Sequence, residues 1–305
     1  MITRRDLFRA AGAAGLAAAG LASGQDGSTP QPSIARRKLG RMGFEASIYA
    51  LGTAEIPGDA EAVRAFDLAL DGGVNYVDTA PSYQRSRSER AIGQVAKRRR
   101  GEFFLATKTL ERGVEGVLRE VRESLERLET EHVDLIQVHA VNDERTLRSV
   151  LGPRGAVKGL ERAREEGLAR HIGITGHTRA EVIAKAIDEY PFESILVPVS
   201  AADRHLGDFA DEVVPKAVEK GIAVAGMKSL KGLEIHGGGD VESFVRYALS
   251  LPISVLTIGF RRIEDVEQDL LIARRFEPMD EGEMAALAET TRSWANADVL
   301  WWKRP

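Results

Sequence analysis

Eight short apolar runs, recurring at intervals of two to four dozen residues between Ser47 and Phe260, constrain the fold of this chain more than any other feature. They read SIYALGT (47–53), VNYVDT (74–79), FFLATKT (103–109), VDLIQVHAV (133–141), RHIGITGH (170–177), SILVPVS (194–200), IAVAGMKS (222–229) and ISVLTIGF (253–260). Each is nearly continuous in its apolar character, as strands are when both faces are buried inside a helical shell. Between the runs lie amphipathic stretches such as 115–129, where Val117, Val121, Leu125 and Leu128 recur at spacings of three and four. Eight β/α units in one chain predict an α/β fold of a single domain, a (β/α)8 TIM barrel over residues 35–278, followed by a C-terminal helix and aromatic tail over 279–305. The rival is a doubly wound open sheet, which needs a glycine-rich phosphate loop after its first strand. Here that place holds Gly52-Thr53-Ala54-Glu55-Ile56-Pro57, without the G-x-G-x-x-G spacing.

Composition bounds the function classes. A formal net charge of −4 over 305 residues gives no nucleic-acid footprint and no strong membrane attraction. The basic run Lys97-Arg98-Arg99-Arg100 reads as a solvated helix end. The absence of cysteine excludes disulfides, thiolate metal sites and a cysteine nucleophile. His171 and His177 are the only histidines close in sequence, and they fall at the two ends of one strand, roughly 20 Å apart at 3.3 Å per residue. No metal site is expected from them.

The first 34 residues are set aside from the fold. Paired arginines in Thr3-Arg4-Arg5-Asp6-Leu7-Phe8 precede an uninterrupted small and apolar run from Ala10 to Ala22, too short to span a bilayer comfortably. This resembles a twin-arginine export signal, followed by an unstructured Gly-, Ser- and Pro-rich linker. The resemblance implies the twin-arginine export machinery as a partner and a periplasmic destination, or a cytoplasmic one where the signal is not used.

Four polar residues close the C-terminal ends of predicted strands or follow them in the next loop: Asp78, Tyr83, Lys108 and His139. In a closed parallel barrel these strand ends meet at one mouth, a placement that suits carbonyl reduction. The residues around them are similar to those of the aldo-keto reductases. The likeness begins at Arg37-Lys38-Leu39-Gly40 with Gly43, similar to the family's opening hairpin, and runs through Leu51-Gly52-Thr53, Val77-Asp78-Thr79-Ala80 with Tyr83, Ser88-Glu89-Arg90 and Ile92-Gly93. It continues through Thr107-Lys108, Asp134-Leu135 with His139, Ile172-Gly173-Ile174-Thr175 and Ile258-Gly259-Phe260-Arg261 with Glu264, Val266 and Glu267, covering about residues 36–275.

The resemblance implies a nicotinamide-dependent oxidoreductase acting on a small carbonyl compound or alcohol. Hydride delivery to a carbonyl leaves an alkoxide that must gain a proton as it forms. Tyr83 would donate it, with Lys108 drawing the phenol towards neutrality, Asp78 holding the lysine charged and His139 bonding the substrate oxygen. For the cofactor, the resemblance implies NADPH, with NADH as an alternative, bound by Thr175, Met227, Lys228, Arg261 and Arg262. Lys228 would reach the pyrophosphate, and the two arginines the adenosine 2'-phosphate.

This chain departs from the family pattern at the nicotinamide. Thr175-Gly176-His177 stands where Ser-Asn is common, Leu196 where a glutamine is common and Met227 where an aromatic ring often stacks. Asp269 replaces an asparagine that usually contacts adenine. His177 is a candidate for contact with substrate or cofactor. The loop Gln84-Arg85-Ser86-Arg87 is expected to bring cations to the mouth, and the tail with Trp301 and Trp302 either to roof the mouth or to pack on the outer helices. Two other functions stay open: a cofactor-binding regulatory barrel with little turnover, and a barrel lyase or epimerase using Tyr83 and Lys108 for proton transfer alone.

Overall fold

The computed structural model describes residues 32–206, 209–231 and 240–303. The proposed signal and most of its linker lie outside them. The eight apolar runs form the strands of a closed parallel barrel: β3 (Tyr49–Gly52), β4 (Tyr76–Asp78), β5 (Phe104–Thr109), β6 (Val133–Val138), β7 (Ala169–Thr175), β8 (Ser194–Pro198), β9 (Ala223–Met227) and β10 (Val255–Gly259). Each pairs with its sequence neighbour, and β10 closes on β3 through Leu256↔Tyr49 to Gly259↔Gly52. Helices such as Val114–Arg127 lie between the strands; Val117, Leu118, Val121 and Leu125 are its buried stripe. The barrel is the (β/α)8 architecture that the strand spacing predicts.

Alternation along the strands divides the apolar interior into two compartments. Val77, Leu105, Ile136, Ile174 and Ile258 face the helices and belong to the large cluster between sheet and outer layer. Tyr76, Phe104, Ala106, Leu135, Leu196, Ala223, Ala225 and Val255 share a second cluster inside the barrel. At the C-terminal end of β4 and β5 the same inward positions switch to Asp78 and Lys108. The interior is therefore greasy below and ionic above.

An antiparallel hairpin, β1 (Arg36–Lys38) and β2 (Glu45–Ser47), caps the N-terminal end of the barrel. Its turn contributes Leu39, Met42 and Phe44 to the interior cluster, where Phe44 meets Phe104 with ring centroids 5.1 Å apart. Arg41 donates from its backbone to Gly221 O and from its guanidinium to Pro191 O (2.7 Å) and Phe192 O (2.8 Å), which fastens the turn to the floor. Gly40 makes that approach possible. Its φ is +48°, and a Cβ there would lie 2.5 Å from both Ala223 N and Gly221 O. Packing reaches back to Ile34, which is buried although the linker was expected to include it.

Candidate active site

Asp78 and Lys108 end up side by side because both occupy inward positions near the ends of adjacent strands. Lys108 Nζ donates to Asp78 Oδ1 at 2.5 Å and to Thr79 O at 2.8 Å, and Gln137 Nε2 supports the other carboxylate oxygen at 3.2 Å. Both partners are buried, so desolvation is costly and only this close pairing sustains the charges. A chain of buried hydroxyls fixes the peptide that Lys108 grips. Thr53 Oγ1 donates to Asp78 O (2.8 Å), Ser88 Oγ donates to Thr53 Oγ1 (2.6 Å), and Thr79 Oγ1 and Ser88 Oγ lie 2.7 Å apart.

Tyr83 arrives from the loop after β4. The loop leaves it through three successive left-handed residues, Gln84, Arg85 and Ser86, with φ of 47°, 56° and 64°. Such a run is strained for residues with side chains, and local bonds hold it: Ser86 Oγ to Pro81 O at 2.9 Å and Arg87 Nη1 to Gln84 Oε1 at 2.7 Å. The Tyr83 ring lies with its centroid 4.7 Å from Lys108 Nζ, so phenol and ammonium are direct neighbours. The expected cations of this loop do not line the pocket. Arg87 is turned to Asp59, at 2.6 Å, and Arg85 is exposed outside the cleft. The paired carboxylate on the neighbouring helix outcompetes the mouth.

Electrostatics at the site differ from the sequence expectation in one respect. Burial works against the Lys108 ammonium, but Asp78 and Tyr83 outweigh it and hold it above the ordinary lysine value. Burial raises the Tyr83 phenol more than the ammonium lowers it. The resting phenol therefore sits above its ordinary value rather than drawn towards neutrality, since moving the tyrosine out of water penalises phenolate more than one shared lysine compensates. The phenol keeps its proton at neutral pH, as a donor must.

His139 follows β6, and its backbone amide donates to Thr109 O at 2.9 Å. Its ring makes an edge contact with Tyr83, centroids 6.0 Å apart. Burial, then the nearby cations, lowers it to about 2, so it is a neutral imidazole. Its Nδ1 is enclosed with no hydrogen-bond partner among the described residues. Beyond it stands His177, centroids 6.0 Å apart, lowered by burial to about 3.

These groups form one end of a cleft of about 620 Å³. Leu196 and Met227 lie along it, Lys228 stands within electrostatic reach of both histidines, and Lys231, Arg261 and Arg262 continue its basic lining. Thr175 does not line it. That residue is fully buried, and its hydroxyl accepts the Ala140 amide at 2.8 Å. Gly176 points the other way, since a Cβ there would lie 2.4 Å from Ile183 Cγ1 in the helix behind. His177, two residues after Thr175, returns the chain to the inner face, which explains why it and not residue 176 meets the cleft.

This basic lining has the chemistry to take phosphates through side chains. Burial lowers the Lys228 ammonium to about 8, with Lys231 adding to the effect. The backbone amides of Arg261 and Arg262 already donate to Asp265 Oδ2, at 2.9 and 3.1 Å, and that of Ile263 to Glu61 Oε1 at 3.1 Å. Arg261 forms an ion pair with Glu55 across the cleft. Phosphate oxygens are thus met by guanidinium and ammonium groups, with the helix amides satisfied internally. Thr257 also lines the cleft, and its hydroxyl is buried with no hydrogen-bond partner among the described residues. Asp269 is buried, turned away from that lining. A dinucleotide fits this arrangement, phosphates at the basic lining and nicotinamide near Tyr83.

The tail crosses the mouth and also packs on the outer layer, so both expected roles coexist. Trp294, Val299, Leu300 and Trp302 are buried with Phe244 and Tyr247, and Trp294 stacks on Phe244 at 5.5 Å. Thr178 Oγ1 donates to Trp302 O at 2.8 Å, and Lys303 Nζ lies 3.7 Å from the buried Asp203 carboxylate. Trp301 is left lining the cleft, and Lys228 Nζ sits 4.9 and 5.1 Å from the Trp301 and Trp302 ring centroids. Sequence reasoning missed Glu55, whose partner lies 206 residues away, and Lys231. No local signal marks either.

A family model described as the Aldo/keto reductase family matches residues 49–240. The uncharacterized oxidoreductase YqkF of Bacillus subtilis is 28% identical over 256 residues, 79% of this chain and 80% of the relative. Among solved structures, the holo form of an aldo-keto reductase from Bacillus halodurans superposes with a TM-score of 0.70 at 23% identity, covering 85% of this chain and 96% of its own. A Bombyx mori aldo-keto reductase in complex with NADP superposes with a TM-score of 0.66 at 19% identity, covering 84% and 92%.

Proposed function

This chain belongs to the aldo/keto reductase family, and from that premise we propose that it is a nicotinamide-dependent oxidoreductase that reduces an aldehyde, ketone or sugar-like carbonyl, or catalyses the reverse. The observation that carries this reading is Lys108, buried, bonded to Asp78 and lying 4.7 Å from the centroid of the Tyr83 ring at the open end of the barrel. When bound, the reduced nicotinamide supplies the hydride. The carbonyl oxygen is held between the Tyr83 hydroxyl and the neutral His139 ring, which orient it and draw off charge. As charge develops on that oxygen, Tyr83 gives up its proton, and the adjacent ammonium stabilises the phenolate left behind. Asp78 keeps the lysine charged and aimed; in the reverse direction the same phenolate accepts the proton. Leu196, Met227 and Trp301 limit the access of water.

NADPH is the favoured dinucleotide. The basic lining of the cleft supports this, and the Bombyx mori relative was solved with NADP. The decisive experiment titrates NADPH and NADH against the purified protein, then follows nicotinamide absorbance with a panel of aldehydes. Tyr83→Phe is expected to lower turnover by roughly 10²- to 10⁴-fold while dinucleotide binding persists. Binding without Tyr83-dependent turnover would leave a regulatory barrel, and no dinucleotide affinity would point to proton-transfer chemistry alone.

Export through the twin-arginine machinery to the periplasm is part of the same proposal. Arg4-Arg5 and the apolar run behind them support it, and that route suits a protein that leaves the cytoplasm folded around its cofactor. Replacing both arginines with lysine is expected to retain the protein in the cytoplasmic fraction, read by cell fractionation.

A further inference from the structure

His177 is unused by the mechanism above, yet it lines the same cleft as Tyr83 and His139. The three rings form a row with successive centroid separations of 6.0 Å. The row is fixed from behind. The His177 backbone amide donates to Asn142 Oδ1 at 2.8 Å, and Gly176 before it is pressed against Ile183. The geometry points to His177 as a specificity-determining residue that binds a hydroxyl on the carbon next to the reacting carbonyl, so that the substrates are hydroxyaldehydes, hydroxyketones or sugars rather than plain alkyl carbonyls. The inference rests on the reductase reading of the site and deepens it.

Three observations carry it. Two imidazoles lining one cleft with centroids 6.0 Å apart, each reaching about 3 Å along a hydrogen bond, are near enough to serve two oxygens of one small substrate. Both rings are neutral, since burial holds them at about 2 and about 3. A neutral imidazole offers one donor and one acceptor, which matches a hydroxyl, whereas a carboxylate only accepts. The third is Trp301, half exposed and lining the same cleft, whose indole face can take the C–H side of a polyhydroxylated chain.

The test compares glyceraldehyde with propanal, which share a three-carbon skeleton and differ in their hydroxyls, by kcat/KM in the full chain with NADPH. The quantity read is the ratio of the two values, which cancels any loss common to both. His177→Leu is expected to lower that ratio roughly three- to tenfold, the worth of one neutral hydrogen bond, chiefly by raising KM for glyceraldehyde. His177→Asn, which keeps a donor and an acceptor, is expected to retain most of it, and His177→Phe, which has neither, takes the place of the leucine variant if that does not fold. A ratio unchanged in both variants, or equal losses on both aldehydes, overturns the assignment and leaves the reductase reading standing. Turnover of neither aldehyde by the parent protein, with Tyr83→Phe no different, removes the reductase reading itself and this inference with it.

Discussion

Titration behaviour at the mouth follows from which side chains were taken out of water. Tyr83 stays protonated through neutrality because burial outweighs its lysine, while His139 and His177 are already neutral. The kcat of carbonyl reduction is therefore expected to be flat across mildly acidic and neutral pH, without the limb near 6.5 that an ordinary histidine would give, and to fall only in alkali as the phenol loses its proton. A stopped-assay pH series checks this. Lys228 behaves differently. Its ammonium is depressed to about 8, so a growing share is uncharged as pH rises above that value, and an anionic dinucleotide must pay to restore the charge on binding. KM for NADPH is expected to climb by roughly tenfold in that direction, the worth of one charge-assisted hydrogen bond of about 1.5 kcal/mol, and Lys228→Met should flatten the climb. At this scale the sequence was informative about identity and less so about environment. Asp78, Lys108, Tyr83 and His139 come together as their strand-end positions imply. The upward direction at Tyr83 and the inward burial of Thr175 depend on packing depth, which neighbouring letters do not encode.

Elements were the most legible level, for a physical reason. A parallel strand covered on both faces needs a continuous apolar run, and eight such runs leave few alternatives to a closed barrel. Loops were less legible because their partners are remote: Arg87 turns to Asp59 rather than to the mouth, and at the basic end of the helix Arg87–Arg99, where Lys97 and Arg98 are exposed as expected, Arg99 is tied to Asp67, Asp71 and Glu102. The hairpin offers a test at this level. Gly40→Ala would force a methyl to within 2.5 Å of backbone atoms in a left-handed conformation. A loss of about 2–4 kcal/mol is expected, measured by urea denaturation, with Tyr83 chemistry intact in the folded fraction.

Taken whole, the molecule is a barrel whose mouth is shaped by segments far apart in the chain. Glu55 meets Arg261, and Thr178 holds Trp302 across 124 residues. Truncation after Arg292 removes the buried Trp294, Leu300 and Trp302 together with Trp301 at the cleft. The barrel is expected to remain folded, because its two larger apolar clusters are formed without these residues. KM for substrate should rise roughly tenfold as contact with the indole is lost, measured by steady-state kinetics alongside circular dichroism. With the base of the vessel sealed by the hairpin, whatever reaches Tyr83 has to come and go on the side where the barrel strands end, so carrier and carbonyl compound share that doorway.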